Sequence, residues 1–89
     1  MSDTERAFAI KQQRNMIMSS LLTVYPGSID GETIYRSMIG AFPEYSRVVC
    51  VKDLYYLESK GYVIRKNPLT GKQDDRAEWL TARWALTAE

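Results

Sequence analysis

Residues 46–63 read SRVVCVKDLYYLESKGYV. Cys50, Leu54 and Leu57 recur at i, i+4 and i+7, so they lie along one face of a predicted helix. Gly61 stands where a helix favours a left-handed residue at its end, and the apolar pair that follows it begins an extended segment. The stretch therefore predicts a helix that buries one side, stops at Gly61 and leads directly into a strand.

Helix one is predicted over residues 3–25. Ser2 and Glu5 have the spacing of a capping box, whose side chains satisfy free amides of the first turn, and Pro26 is a helix breaker. Residues at helical spacing form one mostly apolar stripe, in which only Arg14 is charged, and apolar neighbours widen it. The stripe consists of Ile10, Arg14, Ile17, Leu21 and Val24, with Met18, Leu22 and Tyr25 beside them. We expect this stripe to face the core, and the apolar Phe8, exposed on the same helix, favours a homodimer.

Helix two is predicted over residues 29–41 and helix three over residues 45–60. Ser28 or Asp30 is positioned to cap helix two, whose core pair is Ile34 and Met38. The two helices are separated by only a few residues. Because helices joined so tightly usually cross steeply, this arrangement predicts a helix-turn-helix.

The last third of the chain predicts a two-stranded hairpin over residues 62–87. Residues 62–66 are short and partly β-branched, and residues 80–87 alternate apolar and polar side chains, with Trp84 expected in the core. The connection from residue 67 to about residue 79 is long and polar, so we expect its tip to be mobile and solvated. The predicted class is α+β, with three helices followed by a hairpin.

Composition excludes several kinds of function. Eighty-nine residues form one small domain, and the chain has a single Cys and no His. A zinc site and His-dependent catalysis are therefore not expected, and Cys50 is expected to be buried and inert. Asp74 and Asp75 lie adjacent in a predicted turn, which is typical of solvation. We expect no enzyme activity, no metal, no cofactor and no small-molecule effector. The absence of an apolar run, a secretory signal and a second Cys predicts a cytoplasmic protein.

Charge is distributed unevenly along a chain whose net charge is only +1. Residues 45–72 hold six Lys and Arg against two Asp and Glu, whereas residues 1–44 hold four against five. The positive charge therefore lies on helix three and just after it, where it favours an anionic partner.

Several short motifs resemble those of the MarR, PadR and ArsR-like repressors. They are a helix end with the pattern Leu-x-x-Leu-Glu, then Gly-aromatic-Val, then Leu-Thr after the second strand, and an acidic-basic pair near the hairpin tip. In this chain they correspond to Asp53-Leu54, Leu57-Glu58, Lys60-Gly61-Tyr62-Val63, Trp84-Ala85-Leu86-Thr87-Ala88-Glu89 and Asp75-Arg76. The resemblance implies a winged helix-turn-helix, with the hairpin as wing, that acts as a small transcription regulator. Small stand-alone versions are also encoded by phages and prophages. Repressors of these families usually carry further helices that form the dimer, and this sequence ends where such a helix would begin. Three alternatives stay open: a tail is missing, helix one forms the dimer, or the protein acts as a monomer.

The winged-helix arrangement implies a double-stranded DNA site on helix three and the wing. The N-terminal part of helix three would enter the major groove, with Arg47 on guanine, Val48 or Val51 on a thymine methyl and Lys52 on phosphate. The predicted DNA-binding residues are Ser46, Arg47, Val48, Val51, Lys52, Tyr55, Arg65, Lys66, Lys72 and Arg76. The acidic residues at the wing count against DNA. The alternative is a winged-helix protein interaction or assembly module that does not bind DNA.

Overall fold

The computed structural model describes residues 2–87. Three helices and three short strands follow in the order α1 (Asp3–Val24), β1 (Ile29–Asp30), α2 (Gly31–Ala41), α3 (Arg47–Ser59), β2 (Val63–Lys66) and β3 (Arg83–Leu86). The α+β class is confirmed, and the helix limits agree with the predicted ones to within two residues. Ala88 and Glu89, which belong to the last of the quoted motifs, lie outside the described residues. Within residues 2–87, no helix combines the length and hydrophobicity needed for a membrane span.

Side-chain caps begin all three helices. The backbone N–H of Glu5 donates to Ser2 Oγ (3.2 Å), and the Ser2 hydroxyl donates in turn to the Glu5 carboxylate (3.1 Å). Asp30, not Ser28, caps α2 by accepting from the N–H and the hydroxyl of Thr33, and Ser46 caps α3. These short polar side chains satisfy amides that the first helical turn leaves free.

Gly61 ends α3 as predicted. Its φ of 78° is left-handed, and the N–H of Tyr62 donates to the carbonyl of Leu57 (3.0 Å), which closes the last turn. Strand β2 begins immediately afterwards, at Val63. The orientation of α3 is therefore tied to the sheet through a single tight turn.

The sheet has three antiparallel strands in the order β1–β3–β2, so the predicted two-stranded hairpin is corrected. Ile29 pairs with Trp84 and Asp30 with Arg83, although residues 29 and 30 were assigned to helix two. Because the cap at Asp30 requires an extended backbone there (φ −72°, ψ 155°), this dipeptide is free to pair with β3. Strand β3 becomes the central strand.

The core lies between the three helices and the sheet. It is formed by side chains that are almost completely buried, several of them on the predicted faces: Ile17, Leu21, Ile34, Met38, Cys50, Leu54, Leu57, Val63, Ala82 and Trp84. Trp84 is fully buried as predicted, and its indole N–H donates to the carbonyl of Trp79 (3.0 Å). Burial of large apolar side chains is the main stabilising contribution in a domain of this size.

The end of α1 departs from the predicted buried stripe. Ile17 and Leu21 are fully buried, but Leu22, Val24 and Tyr25 are exposed. Among the described residues 2–87, nothing covers these three side chains at the last turn of the helix. Apolar surface is thus left at this end of the molecule.

The connection between β2 and β3 is organised by hydrogen bonds and is not one open loop. The N–H of Asn67 donates to the carbonyl of Lys72 (2.8 Å), and Gly71 (φ 72°) donates back to Asn67 (2.8 Å). Lys66 pairs with Gln73 in an isolated bridge, which makes residues 66–73 a small hairpin. We call this hairpin the wing turn.

The second half of the connection returns to the start of α2. The carbonyls of Leu80 and Ala82 accept from the N–H groups of Glu32 (2.9 Å) and Gly31 (3.1 Å). The predicted strand over residues 80–87 consequently begins only at Arg83, because the carbonyls before it satisfy free amides of α2.

Candidate nucleic-acid interface

Helix α3 presents one face away from the core. Val48 is 62% exposed, Lys52 and Tyr55 are exposed, and Val51 is half-buried. Arg47 begins the helix at the edge of this face, with about half of its side chain accessible. We refer to these five residues as the α3 face, and all five are in the predicted DNA-binding set. Ser46 stands next to them, but its hydroxyl oxygen is used as the helix cap.

Arg47 is already held by a neighbouring carboxylate. Its guanidinium donates to both oxygens of Glu32 (3.0 and 3.4 Å) and lies over the ring of Tyr35, with Cζ 4.6 Å from the ring centroid. The hydrogen bonds from Arg47 and then from Arg36 lower the pKa of Glu32, and Glu32 raises that of Arg47. A DNA base would have to compete with a solvated ion pair, which is a weak competitor.

The two carboxylates of α3 are turned away from the α3 face. Asp53 is 2% exposed, accepts from Arg14 Nε of α1 (3.1 Å) and accepts from the Tyr45 hydroxyl (2.7 Å). Glu58 binds the guanidinium of Arg65 through both oxygens (2.7 and 3.1 Å). Because both acids are neutralised by cations of other elements, the charge that α3 offers at its exposed face is positive.

Arg65, which was predicted to contact DNA, lies inside the protein instead. It is 8% exposed, donates to the carbonyl of Ala77 (2.9 Å), and has its guanidinium close to the rings of both Tyr55 and Trp84, with Cζ 4.9 and 5.3 Å from their centroids. Every contact of this side chain joins α3 to the sheet and to the returning connection. We therefore remove Arg65 from the proposed DNA contacts, since a DNA backbone could reach it only if this packing were broken.

The remaining predicted wing cations are accessible. Lys72 and Arg76 are exposed and Lys66 is half-buried. Within residues 2–87, none of these three side chains takes part in an ion pair, and the same holds for Lys52. Cations that are not committed to a protein carboxylate are the ones available to phosphate.

Two acidic side chains near the wing, Asp74 and Glu78, accept hydrogen bonds from backbone N–H groups. Asp74 accepts from the N–H of Arg76 (3.0 Å) and from Asn67 Nδ2 (3.2 Å), and these hydrogen bonds lower its pKa. Glu78 accepts from the N–H groups of residues 80 and 81. Asp74 and Glu78 thus shape the connection, and because these hydrogen bonds favour the ionised form of Asp74, its negative charge still counts against phosphate at the wing.

Sequence reasoning missed the Asp53 cluster, in which α1, α3 and the α2–α3 connection meet through Arg14, Asp53 and Tyr45. The guanidinium of Arg14 also lies 3.6 Å from the ring centroid of Tyr56. Position 53 falls between Cys50 and Leu57 on the buried helical face, and that signal could have identified it. A groove of about 770 Å³ opens beside the cluster, between α1 and the start of α3.

The single thiol offers no reactive site. Cys50 is fully buried, and burial raises its pKa to about 11. At neutral pH the side chain is therefore a protonated, inaccessible thiol, which is not nucleophilic. Within residues 2–87, no group of three or more metal-ligating side chains occurs either.

A scan against protein-family models finds no match to this chain, and searches of curated proteins and of solved structures find no significant match. The functional argument consequently depends on the α3 face and the wing turn themselves.

Proposed function

We propose that the chain is a winged-helix protein that binds double-stranded DNA and acts as a small transcription regulator. The observation that carries the proposal is the α3 face: it exposes Arg47, Val48 and Lys52 at the N-terminal end of the helix, while both carboxylates of α3 are paired with cations of other elements. A short turn ahead of α3 and the wing turn after it support this proposal.

In the proposed complex the N-terminal half of α3 lies in the major groove. Arg47 exchanges Glu32 for the two acceptors of a guanine, a contact worth about 1–3 kcal/mol of discrimination. Val48 and Val51 meet thymine methyl groups, and Lys52 and Tyr55 contact the backbone. The wing turn brings Lys66 and Lys72 to a flanking phosphate or the minor groove, and Arg76 follows it three residues later.

Binding to a labelled pool of random duplexes of about 20 base pairs, two helical turns, tests the proposal by fluorescence anisotropy. Lys52→Ala and Lys66→Ala should weaken binding on every sequence, because each removes a phosphate contact and about one unit of the salt slope. Arg47→Ala should mainly reduce sequence preference after selection from the pool. If four cations reach phosphate, affinity should fall roughly 100-fold between about 50 mM and about 200 mM salt.

Lys11→Ala is the matched control, since it removes one exposed positive charge from α1 and leaves the α3 face unchanged. It should bind like the unchanged chain. The proposal fails if no duplex of the pool binds at low ionic strength, or if Lys11→Ala weakens binding as much as Lys52→Ala does.

One observation favours a second candidate, a winged-helix module that binds a protein. The ion pair of Arg47 with Glu32 is complete without a ligand, and the apolar Val48 of the α3 face is 62% exposed. In that case Val48→Asp would abolish a complex with a protein, and the affinity of that complex would change little with salt because apolar contacts are not screened. A complex that dissociates steeply with added salt would exclude this candidate.

A further inference from the structure

The solvent side of α1 carries an apolar residue near each end. Phe8 is 62% exposed and Leu22 is 64% exposed. Both lie seven residues from Asn15, so the three side chains point to nearly the same side of the helix. We call this row, together with Gln12 and Ser19 beside it, the outer stripe.

The middle of the outer stripe carries few charges. Gln12, Asn15 and Ser19 are exposed and neutral, and Lys11, one helical turn before Asn15 on the same side, is exposed and positively charged. Arg14, the next cation along the helix, is turned inward to Asp53 and Tyr56. Solvent-facing helix surfaces usually carry several charges, so a row with one lysine and an exposed apolar residue at each end is typical of a contact surface.

An apolar cleft lies beside Leu22. Met18, Leu22 and Leu86 line it together with Asn15 and Ser19, so the cleft joins the end of the outer stripe to strand β3. Phe8 stands at the other end of the stripe, about 21 Å away at 1.5 Å per residue. The helix thus carries a protruding aromatic side chain and an apolar cleft on one face.

We propose that two copies of the chain pair through this face, with their α1 helices antiparallel. Each Phe8 then enters the cleft of the other copy near Leu22. Because protrusion and cleft lie on the same helix at equal distances from Asn15, both contacts form at once and the assembly closes as a twofold dimer. This inference goes beyond DNA binding and does not depend on it, since the outer stripe shares no residue with the α3 face.

The antiparallel orientation follows from charge and from shape. In a parallel pair each Lys11 would face the other Lys11, and each Phe8 the other Phe8, leaving both clefts empty. Antiparallel helices separate the two lysines and fill both clefts. The contact is one helix long, at the lower end of specific interfaces, so we expect a dissociation constant on the order of 10 µM.

Sedimentation equilibrium of the full chain at about ten times that concentration tests the pairing. The expected mass is twice the 10.2 kDa of one chain. Leu22→Asp should give monomer, because it places a charge in the interface of each copy, and its native circular dichroism should be retained since the side chain is exposed. Leu69→Asp, at a position 93% exposed on the wing turn, is the control and should remain dimeric.

The orientation is tested by mixing two monomeric variants. Phe8→Lys and Leu22→Glu should each be monomeric alone, whereas an equimolar mixture should recover a dimer in which the new lysine meets the new glutamate and the second Phe8–Leu22 contact is intact. Parallel helices would not restore any contact in the mixture. An unchanged chain that stays monomeric, a dimer that survives Leu22→Asp, or a mixture that stays monomeric would each overturn the proposal.

Discussion

At the scale of single residues, Asp53 is the side chain that most constrains α3. It is buried, and its two oxygens receive hydrogen bonds from Arg14 of α1 and from Tyr45, whose own hydroxyl pKa is raised by burial and by this contact. Three segments are therefore joined at one carboxylate. Losing it would leave the Tyr45 hydroxyl and the Arg14 guanidinium without their acceptor.

Asp53→Ala should lower the free energy of unfolding by about 3 kcal/mol, because removing one partner of a buried pair leaves the others unsatisfied. Urea denaturation followed by circular dichroism measures the change. Asp75→Ala, which removes an exposed wing carboxylate, is the control and should stay within about 0.5 kcal/mol. Equal losses in the two variants would show that the Asp53 contacts contribute nothing to stability.

The stability contribution of Asp53 should also depend on pH. Burial raises its pKa above the ordinary 3.8, although the hydrogen bonds from Tyr45 and Arg14 act in the opposite direction. The folded chain then binds the carboxyl proton of Asp53 more tightly than the unfolded chain does. The stability that this proton contributes is therefore fully present below about pH 3.8 and is lost as the pH rises through the folded pKa. Asp53→Asn has no proton to lose. The free energy of unfolding of Asp53→Asn minus that of the unchanged chain should therefore rise from about pH 4 to about pH 7. A fall in this difference would mean that the folded state favours the ionised carboxylate.

At the scale of elements, the junction between α2 and the connection before β3 holds the sheet against the helices. Gly31 donates its N–H to Ala82, and a side chain added at this position would collide with the carbonyl oxygen of Trp79. The backbones approach so closely that only glycine fits. This junction also explains why β1 lies next to β3.

Gly31→Ala should therefore destabilise the protein by about 3 kcal/mol or more, since backbone atoms cannot move aside as a flexible side chain can. Gly40→Ala in the same helix is the matched control. A Cβ at residue 40 meets no atom within 4 Å, so this substitution should stabilise the helix by about 0.5–1 kcal/mol. Thermal unfolding of the two variants distinguishes them, and a Gly31→Ala variant as stable as Gly40→Ala would contradict the close approach.

Local signals in the sequence were sufficient for the helices. The cap at Ser2, the stop at Gly61 and the burial of Trp84 each depend on a few neighbouring residues, and all of them are confirmed. Strand β1 could not be predicted in the same way. It is two residues long and exists because a strand more than fifty positions later offers it a partner.

The candidate site was predictable where exposure follows helix geometry and unpredictable where it depends on distant partners. The positions of Val48 and Lys52 on the open side of α3 follow from the buried positions of the same helix. The inward turn of Arg65 depends on Glu58 and on Ala77, which the chain brings together only after folding. Long cationic side chains can be exposed or buried in a strand, and only the partner decides which.

At the scale of the whole molecule, the chain separates its charged and its neutral surfaces. The α3 face and the wing turn carry cations that have no ion pair within residues 2–87, apart from Arg47, whereas the outer stripe of α1 exposes Phe8 and Leu22 with Lys11 as the one cation beside them. Cationic surfaces favour a polyanion and neutral apolar ones favour a second copy. The two proposed contacts can therefore be disrupted separately, one by Lys52→Ala and the other by Leu22→Asp.

The most direct test of the central proposal is an NMR titration of the ¹⁵N-labelled chain with the random duplex pool at low salt. We predict that the largest amide shift changes fall on residues 47–55 and on the wing turn, and that they disappear as salt is added, because phosphate contacts are screened. Unchanged spectra, or changes confined to the outer stripe of α1, would contradict the proposal that α3 binds DNA.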